Sequence, residues 1–187
     1  MNDLENNIIK TFFISQEGRD LDINPFASEN GNNMYTGKVS FQFEEDFIED
    51  NVRCIPMIVR FKMDIAGIKL KLAEWSKFSF SERLQLTELS CISNEEVTGY
   101  RNYLKQLINM HTGNEAVHLM LENYPAWANT TIVPLLLQNK ASEYQWTISI
   151  KQWKSLTNLQ RFALLKLFRP GHENKNFPKA MREFGWV

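Results

Sequence analysis

The chain of 187 residues has little of the material on which several protein classes depend. It contains two cysteines, Cys54 and Cys91, without a CxxC pair or a Cys/His ligand spacing, so neither a disulfide scaffold nor a zinc site is expected. No apolar run approaches the ~20 residues of a membrane helix, and the N-terminus lacks the basic and apolar regions of a signal peptide. We therefore expect a cytoplasmic protein with two reduced thiols and no membrane partner.

Motifs of known enzyme chemistry are missing as well. The sequence has no GxSxG, P-loop, GxGxxG or HExxH pattern, and so it indicates no catalytic residue and no cofactor. Its histidines, His111, His118 and His172, lack the spacing of a metal site, and Gly113 separates the first two, so a helix-end or surface position is favoured. No nucleic-acid-binding motif is present, and the basic residues of the C-terminal third are spread over several elements. We expect a non-enzymatic protein without metal or nucleic acid.

The chain does have an ordinary globular composition with an uneven distribution of charge. Hydrophobic residues make up 43%, and 13 Phe and 5 Trp supply bulky material for one core. Residues 1–50 carry 3 Lys/Arg and 11 Asp/Glu, whereas residues 150–187 carry 8 and 2. The acidic front and the basic back can attract each other inside the fold, or each can face a different partner.

Composition divides the chain into two parts. Residues 1–38 are rich in Asn, Asp, Glu and Ser, and residues 28–37 are mostly turn formers. We predict a flexible or loosely docked N-terminal extension over residues 1–38 and a single helical domain over residues 39–187. The alternative is that Phe12, Phe13 and Ile14 pin a short element of the extension onto the core.

Helical signals dominate the second part. Capping boxes predict helices that begin after Ser79, Ser93 and Thr157. Further helices are predicted from the residues Pro134, Ser149 and Pro178. The predicted fold is mainly α, an irregular bundle of about six or seven short helices. One short extended or β element is expected near residues 39–43 or 68–72, where apolar and polar residues alternate.

The segment Cys54–Ser79, CIPMIVRFKMDIAGIKLKLAEWSKFS, predicts the central helix of the domain. Pro56 suits the first turn of this helix, and Gly67 suits a left-handed C-terminal end. Helical spacing places one apolar stripe on Ile58, Phe61 and Ile65. The charged residues Arg53, Arg60 and Asp64 are expected on the opposite side, either as a solvated face or as a partly buried Arg–Asp pair.

The segment Arg169–Phe177, RPGHENKNF, is the most unusual local composition. It follows an apolar helix, and Pro170–Gly171 forces a sharp turn. His172, Glu173 and Asn174 then bring several donors and acceptors together. The segment is either a polar connection whose side chains cap the flanking helices, or a recognition loop or a metal or anion contact.

Two blocks of sequence resemble a known family. They are FQFEEDFIEDNVRCIPMIVRFKMDIAGIKLKLAEW (residues 41–75) and ISIKQWKSLTNLQRFALLKLFRPGHENKNFPKAMREFG (residues 148–185). Both closely resemble the nitrate-reductase-associated protein family, which are small bacterial proteins linked to nitrate assimilation. The resemblance implies a non-enzymatic accessory protein that supports the activity or assembly of an assimilatory nitrate reductase, its partner. The departures from the family are the N-terminal extension and residues 113–145.

The resemblance and the charges together predict a partner-binding surface. Its predicted residues are Arg53, Arg60, Lys62, Asp64, Lys69, Lys71, Arg169, His172, Glu173 and Asn174. A basic surface of this kind would favour an acidic surface on the partner. The alternative function is a binding module for a small ligand, a metal or a cofactor precursor. That alternative requires Arg53, Arg60, His172 and Glu173 to converge in one pocket.

Overall fold

The computed structural model describes residues 41–44 and 54–186, without the side chains of His172 and Glu173. The predicted extension over residues 1–38 and Arg53 lie outside the described residues. The predictions made for them, including the division of the chain at residue 38, therefore stay predictions.

Eight α-helices form within the described residues, and the prediction of a mainly α fold is confirmed. They are α1 Met57–Ala66, α2 Leu72–Trp75, α3 Phe80–Glu88, α4 Asn94–Thr112, α5 Leu135–Ser142, α6 Ile150–Ser155, α7 Asn158–Leu167 and α8 Phe177–Glu183. Two 3-10 turns cover Gln42–Glu44 and His172–Asn176. The strands β1 (Ile68–Lys69) and β2 (Val117–His118) pair antiparallel, with Ile68 opposite His118.

The predicted capping boxes are all present. The hydroxyls of Ser79, Ser93 and Thr157 each accept a hydrogen bond from the backbone N–H three residues later, at 3.1–3.3 Å. The side chain of that third residue returns a hydrogen bond to the cap backbone, which satisfies two amides that a helix start leaves open. Gly67 and Gly113 end α1 and α4 with φ of 66° and 69°, as predicted.

Helix α1 lies at the centre of the core, between α4 and α7. The predicted stripe of Ile58, Phe61 and Ile65 is buried, but Val59 and Ala66 are buried as well. The helix is therefore covered on more than the one side that the stripe prediction allowed. Two of its three charged residues, Arg60 and Asp64, keep part of their surface exposed, and the third, Lys62, is buried.

Of the two positions predicted for an extended element, the one after Gly67 is confirmed by β1. The Phe41/Phe43 alternation instead belongs to a 3-10 turn, so the strand reading is wrong there. The rings of Phe41 and Phe43 stack 4.9 Å apart, and Phe41 also contacts Phe184. The backbone N–H groups of residues 42 and 43 donate to the carboxylate of Glu183 at 2.9 and 3.1 Å rather than to a neighbouring strand.

The turn at Gln42–Glu44 also supports the start of α1. Glu44 is buried, and its Oε1 accepts a hydrogen bond from the backbone N–H of Met57 at 2.8 Å. A carboxylate in this position satisfies an open amide and lies at the positive end of the helix dipole. The first described segment is thus held both to α1 and to α8.

Candidate interaction surface

Helices α1 and α7 lie side by side and run in the same direction. The ring centroids of Phe61 and Phe162 are 5.2 Å apart, and one turn later Lys166 donates to the Asp64 carboxylate at 2.9 Å. Successive turns of α1 contact successive turns of α7 in the same order along the chain. The C-terminal ends of both helices therefore lie at the same end of the molecule. Most of the predicted surface residues belong to the two segments that follow these helices, residues 68–71 and the loop after α7, and these segments therefore leave the core at this end.

Three of the predicted residues are exposed on those segments. Lys69 and Lys71 follow α1, and Arg169 follows α7. Lys69 is held by the pairing of β1 with β2, in which it lies opposite Val117. We call Lys69, Lys71 and Arg169 the basic end.

Arg60 and Asp64 of α1 are partly exposed, but Asp64 does not lie opposite the apolar stripe as expected, because it and Phe61 both contact α7. Asp64 forms its ion pair with Lys166 of α7, across the helix–helix contact. This pair links α1 to α7 beside the basic end, so the two family-like blocks meet in space. No pattern in the sequence predicts Lys166 in this role.

Lys62 is placed differently from the prediction, because it is buried rather than part of an exposed surface. Its side chain is 7% exposed, and its Nζ donates to the carbonyls of Thr87 and Leu89 at 2.8 and 2.5 Å. These carbonyls belong to the C-terminal end of α3, where a helix lacks its own donors. Burial lowers the pKa of Lys62 to about 8, although Cys91 and Glu88 oppose this shift.

Asn174 serves the helix that precedes it. Its Nδ2 donates to the carbonyls of Leu167, Phe168 and Arg169 at 3.1–3.2 Å. The reading of this loop as a polar connection that caps a flanking helix is therefore confirmed for Asn174. The roles of the His172 and Glu173 side chains stay predictions.

His111 occupies the helix end that was expected for it. It lies in the last turn of α4, and its Nε2 is 2.9 Å from Oε1 of Glu82. Partial burial acts to raise the pKa of Glu82, but hydrogen bonds from His111 and from Ser79 outweigh it and lower that pKa. His118 lies apart from this pair, in β2.

A buried arginine is the largest polar feature that sequence reasoning left without a role. Arg161 of α7 is 4% exposed. Its Nε donates to the carbonyl of Trp127 at 2.6 Å, and its Nη1 donates to those of Leu156 and Trp153 at 2.5 and 3.3 Å. Burial lowers the pKa of Arg161. Its position inside the apolar run LQRFALLKLF was the available signal, since an arginine there needs buried acceptors.

Exposed apolar residues were also missed. Met120 and Tyr124 are almost fully exposed in the irregular segment after β2, and Ile132, Leu135 and Leu136 are exposed around the start of α5. An apolar run without a clear periodicity is typical of a buried segment, and so no sequence pattern indicates that these side chains face outward.

Neither a metal cluster nor a membrane-spanning helix is found in the part of the chain that the structure describes. There, no three His, Cys, Asp or Glu side chains are grouped so as to hold a metal ion. Over the same residues, no helix has both the length and the apolar character needed to cross a membrane. Convergence of Arg60 with Arg53, His172 and Glu173 stays a prediction, because three of these side chains are not described.

Comparison with known protein families gives one match, to the conserved nitrate reductase-associated protein family, over residues 40–184. No match was found among curated proteins or among solved structures. The matched region begins and ends at the two segments that the structure joins, the turn at Gln42–Glu44 and the end of α8. It includes both of the blocks that meet through Asp64 and Lys166. The chain belongs to the conserved nitrate reductase-associated protein family.

Proposed function

We propose that the protein is a non-catalytic accessory protein that binds an assimilatory nitrate reductase, or an immature form of it, and supports its activity or assembly. The observation that carries this proposal is the family match, which covers most of the chain and names an association with nitrate reductase. In the proposal the chemistry belongs to the reductase, and this protein contributes a binding surface.

The basic end is the part of that surface that we assign to first contact. Lys69, Lys71 and Arg169 are exposed on short segments that are held in place by the β1–β2 pairing and by the Asn174 cap. Fixed positive charges favour an acidic surface on the partner, and they act mainly on the association rate. Lys166 contributes less, since its charge is already paired with Asp64.

The test measures binding of the purified protein to immobilised nitrate reductase by biolayer interferometry. The variant Lys69→Glu/Lys71→Glu/Arg169→Glu is expected to associate about 10-fold more slowly than the wild type at low salt. The difference should shrink as salt screens the charges. The matched control is Arg182→Glu, which reverses one exposed charge on α8 and is expected to bind as the wild type does.

Two results would count against the proposal in different ways. Equal association rates for the triple variant and the wild type would remove the basic end from the interface. No binding of the wild type to the mature reductase or to its unassembled form would reject the accessory function itself. Reductase activity in cells that lack the protein gives a second measurement, and it should fall and be restored by the wild type.

A further inference from the structure

The first turn of α5 exposes large aliphatic side chains on one side while the other side is buried. Leu137 and Ala141 are fully buried, whereas Ile132, Leu135 and Leu136 are 64%, 73% and 63% exposed. Single exposed apolar residues are ordinary on protein surfaces. Three within five residues form a patch of the kind that marks an interaction site.

Two sets of hydrogen bonds place this patch beside α6. The indole Nε1 of Trp153 donates to the carbonyl of Asn129 at 2.8 Å. The side chain of Gln138 bonds both backbone groups of Ile148, donating to its carbonyl at 2.6 Å and accepting from its N–H at 3.2 Å. The exposed aliphatic residues lie between these anchors along the chain, so their segment passes the first turn of α6.

The outward side of α6 adds positive charge to the aliphatic residues. Ile150, Lys151 and Lys154 are exposed on this helix. We call the set Ile132, Leu135, Leu136, Lys151 and Lys154 the docking face. Its centre is apolar and its neighbouring charges are lysines.

The charge balance of the surrounding chain indicates what this face would bind. Residues 123–172 carry six Lys/Arg and one acidic residue, Glu143, which forms an ion pair with Lys140. Arg161 is buried and Lys166 is paired with Asp64, which leaves Arg169 at the basic end and Lys151 and Lys154 on α6 as exposed charges. A complementary surface has an apolar groove with carboxylates at its rim.

A second copy of the chain fits this face less well. In a two-fold symmetric dimer the same patch lies on both sides of the interface. Such an interface would gather the exposed lysines of both copies, and like charges at an interface disfavour association. A different protein with an acidic rim has no such conflict.

We propose that the docking face binds an apolar groove rimmed by carboxylates on the nitrate reductase, as a second contact beside the basic end. This inference rests on the proposed function, since the reductase is the partner in both. Charges and apolar side chains have different kinetic roles. The charges of the basic end and of Lys151 and Lys154 govern association, whereas burial of the leucines governs how long the complex lasts.

The experiment compares Leu135→Ser/Leu136→Ser with the wild type on immobilised reductase. The dissociation rate is expected to rise about 10-fold or more, with little change in the association rate. The matched control is Phe80→Ser, which removes an apolar side chain that is 68% exposed on α3, and it should leave both rates unchanged. Because all three side chains face outward, circular dichroism and thermal unfolding should show intact folding for both variants.

A second variant tests the rim. Lys151→Glu/Lys154→Glu is expected to lower the association rate, by an amount that shrinks at high salt. If Leu135→Ser/Leu136→Ser dissociates as slowly as the wild type, the docking face is rejected and the proposed function stands. An equal loss with Phe80→Ser would overturn it too, because the effect would then not be specific to α5. A wild type that does not bind the reductase at all would reject both proposals together.

Two further measurements separate other occupants of this face. Co-sedimentation with vesicles of phosphatidylglycerol and phosphatidylcholine tests a lipid surface, and light scattering coupled to size-exclusion chromatography tests a second copy. We expect no vesicle binding and no change of mass on Leu135→Ser/Leu136→Ser. If the wild type binds vesicles or forms a dimer and this double variant does not, the assignment of the docking face to the reductase is wrong.

Discussion

Lys62 and Arg161 are two buried cations that meet the same electrostatic need in different ways. Both donate to backbone carbonyls at the C-terminal end of a neighbouring helix, α3 for Lys62 and α6 for Arg161. Such carbonyls lack donors within their own helix and lie at the negative end of its dipole. These carbonyls therefore offset part of the cost of removing a cation from water, although burial still lowers the pKa of both groups.

The difference between the two cations lies in their reach and in their response to pH. The planar guanidinium of Arg161 has five N–H donors, and it joins the loop at Trp127 to the end of α6. The ammonium of Lys62 bonds two carbonyls of one segment, and burial lowers its pKa to about 8. The arginine therefore holds two segments together by hydrogen bonds at any ordinary pH, whereas the buried lysine bonds one segment and can titrate.

The largest expected effect is that of Arg161→Met. The substitution keeps an unbranched side chain but removes the guanidinium, which leaves the carbonyls of Trp127, Trp153 and Leu156 without this donor in a buried site. We expect the free energy of unfolding to fall by about 3–5 kcal/mol, measured by urea denaturation at pH 7. Arg161→Lys should recover part of the loss, since an ammonium cannot reach all three carbonyls in the geometry of the guanidinium. A smaller loss for Arg161→Met than for Lys62→Met would break the comparison.

The next effect is that of Lys62→Met, and it should depend on pH. At pH 7 we expect a loss of about 1–3 kcal/mol, because the carbonyls of Thr87 and Leu89 lose their donor. Between pH 8 and the usual pKa of an unfolded lysine, the unfolded chain keeps a proton that the folded protein releases, so wild-type stability rises with pH. The methionine variant lacks this gain, and the difference between the two should grow from pH 7 to pH 9.

The pH range of that measurement is set by the groups around Lys62. Burial raises the pKa of Cys91 to about 12. The thiol of the unfolded chain therefore loses its proton at a lower pH than that of the folded protein, and stability falls as the pH rises above about 9. Burial also raises the pKa of Tyr100, which acts at still higher pH. Urea denaturation at pH 7, 8 and 9 avoids most of these effects. Arg161→Met is the control, because the free energy of unfolding lost on this substitution should not change between pH 7 and pH 9. If the free energy lost on Lys62→Met does not change either, Lys62 does not titrate in this range.

The smallest expected effect is that of Lys166→Met, which sharpens the comparison by removing a cation near the surface. Lys166 and Asp64 are both partly exposed, so water and salt screen their attraction. We expect a loss of about 0.5 kcal/mol at low salt that disappears at high salt. A double-mutant cycle with Asp64→Asn isolates the pair. A coupling that persists at high salt would mean that this pair behaves like the buried cations.

The helices could be predicted from the sequence where their signals are local. The boxes at Ser79, Ser93 and Thr157 join residues three apart, and Gly67 and Gly113 end helices through their own backbone conformation. The alternation of Phe41 and Phe43 was misleading, because the partner of that backbone is Glu183 in the last helix. A period of two identifies a strand only if another strand is available to pair with it.

The candidate surface was less predictable than the helices. The exposure of Lys69 and Lys71 agrees with a polar face after Gly67, but Lys62 lies inside because α3 ends against it. Which sides of a central helix are covered depends on its neighbours, and helical spacing alone does not contain that information. The aliphatic residues at the start of α5 show the same limit, since hydrophobicity alone does not reveal that the fold leaves them exposed.

The contact of Glu183 with Gln42 and Phe43 has a consequence for the synthesis of the protein. These residues are separated by 140 and 141 positions, so the carboxylate that holds the turn at Gln42–Glu44 is translated long after the turn itself. Helices such as α1 and α4 can begin to form while the chain is still growing, but this closing contact must wait until α8 has left the ribosome. The turn at Gln42–Glu44 therefore lacks this partner while the residues between it and Glu183 are being made.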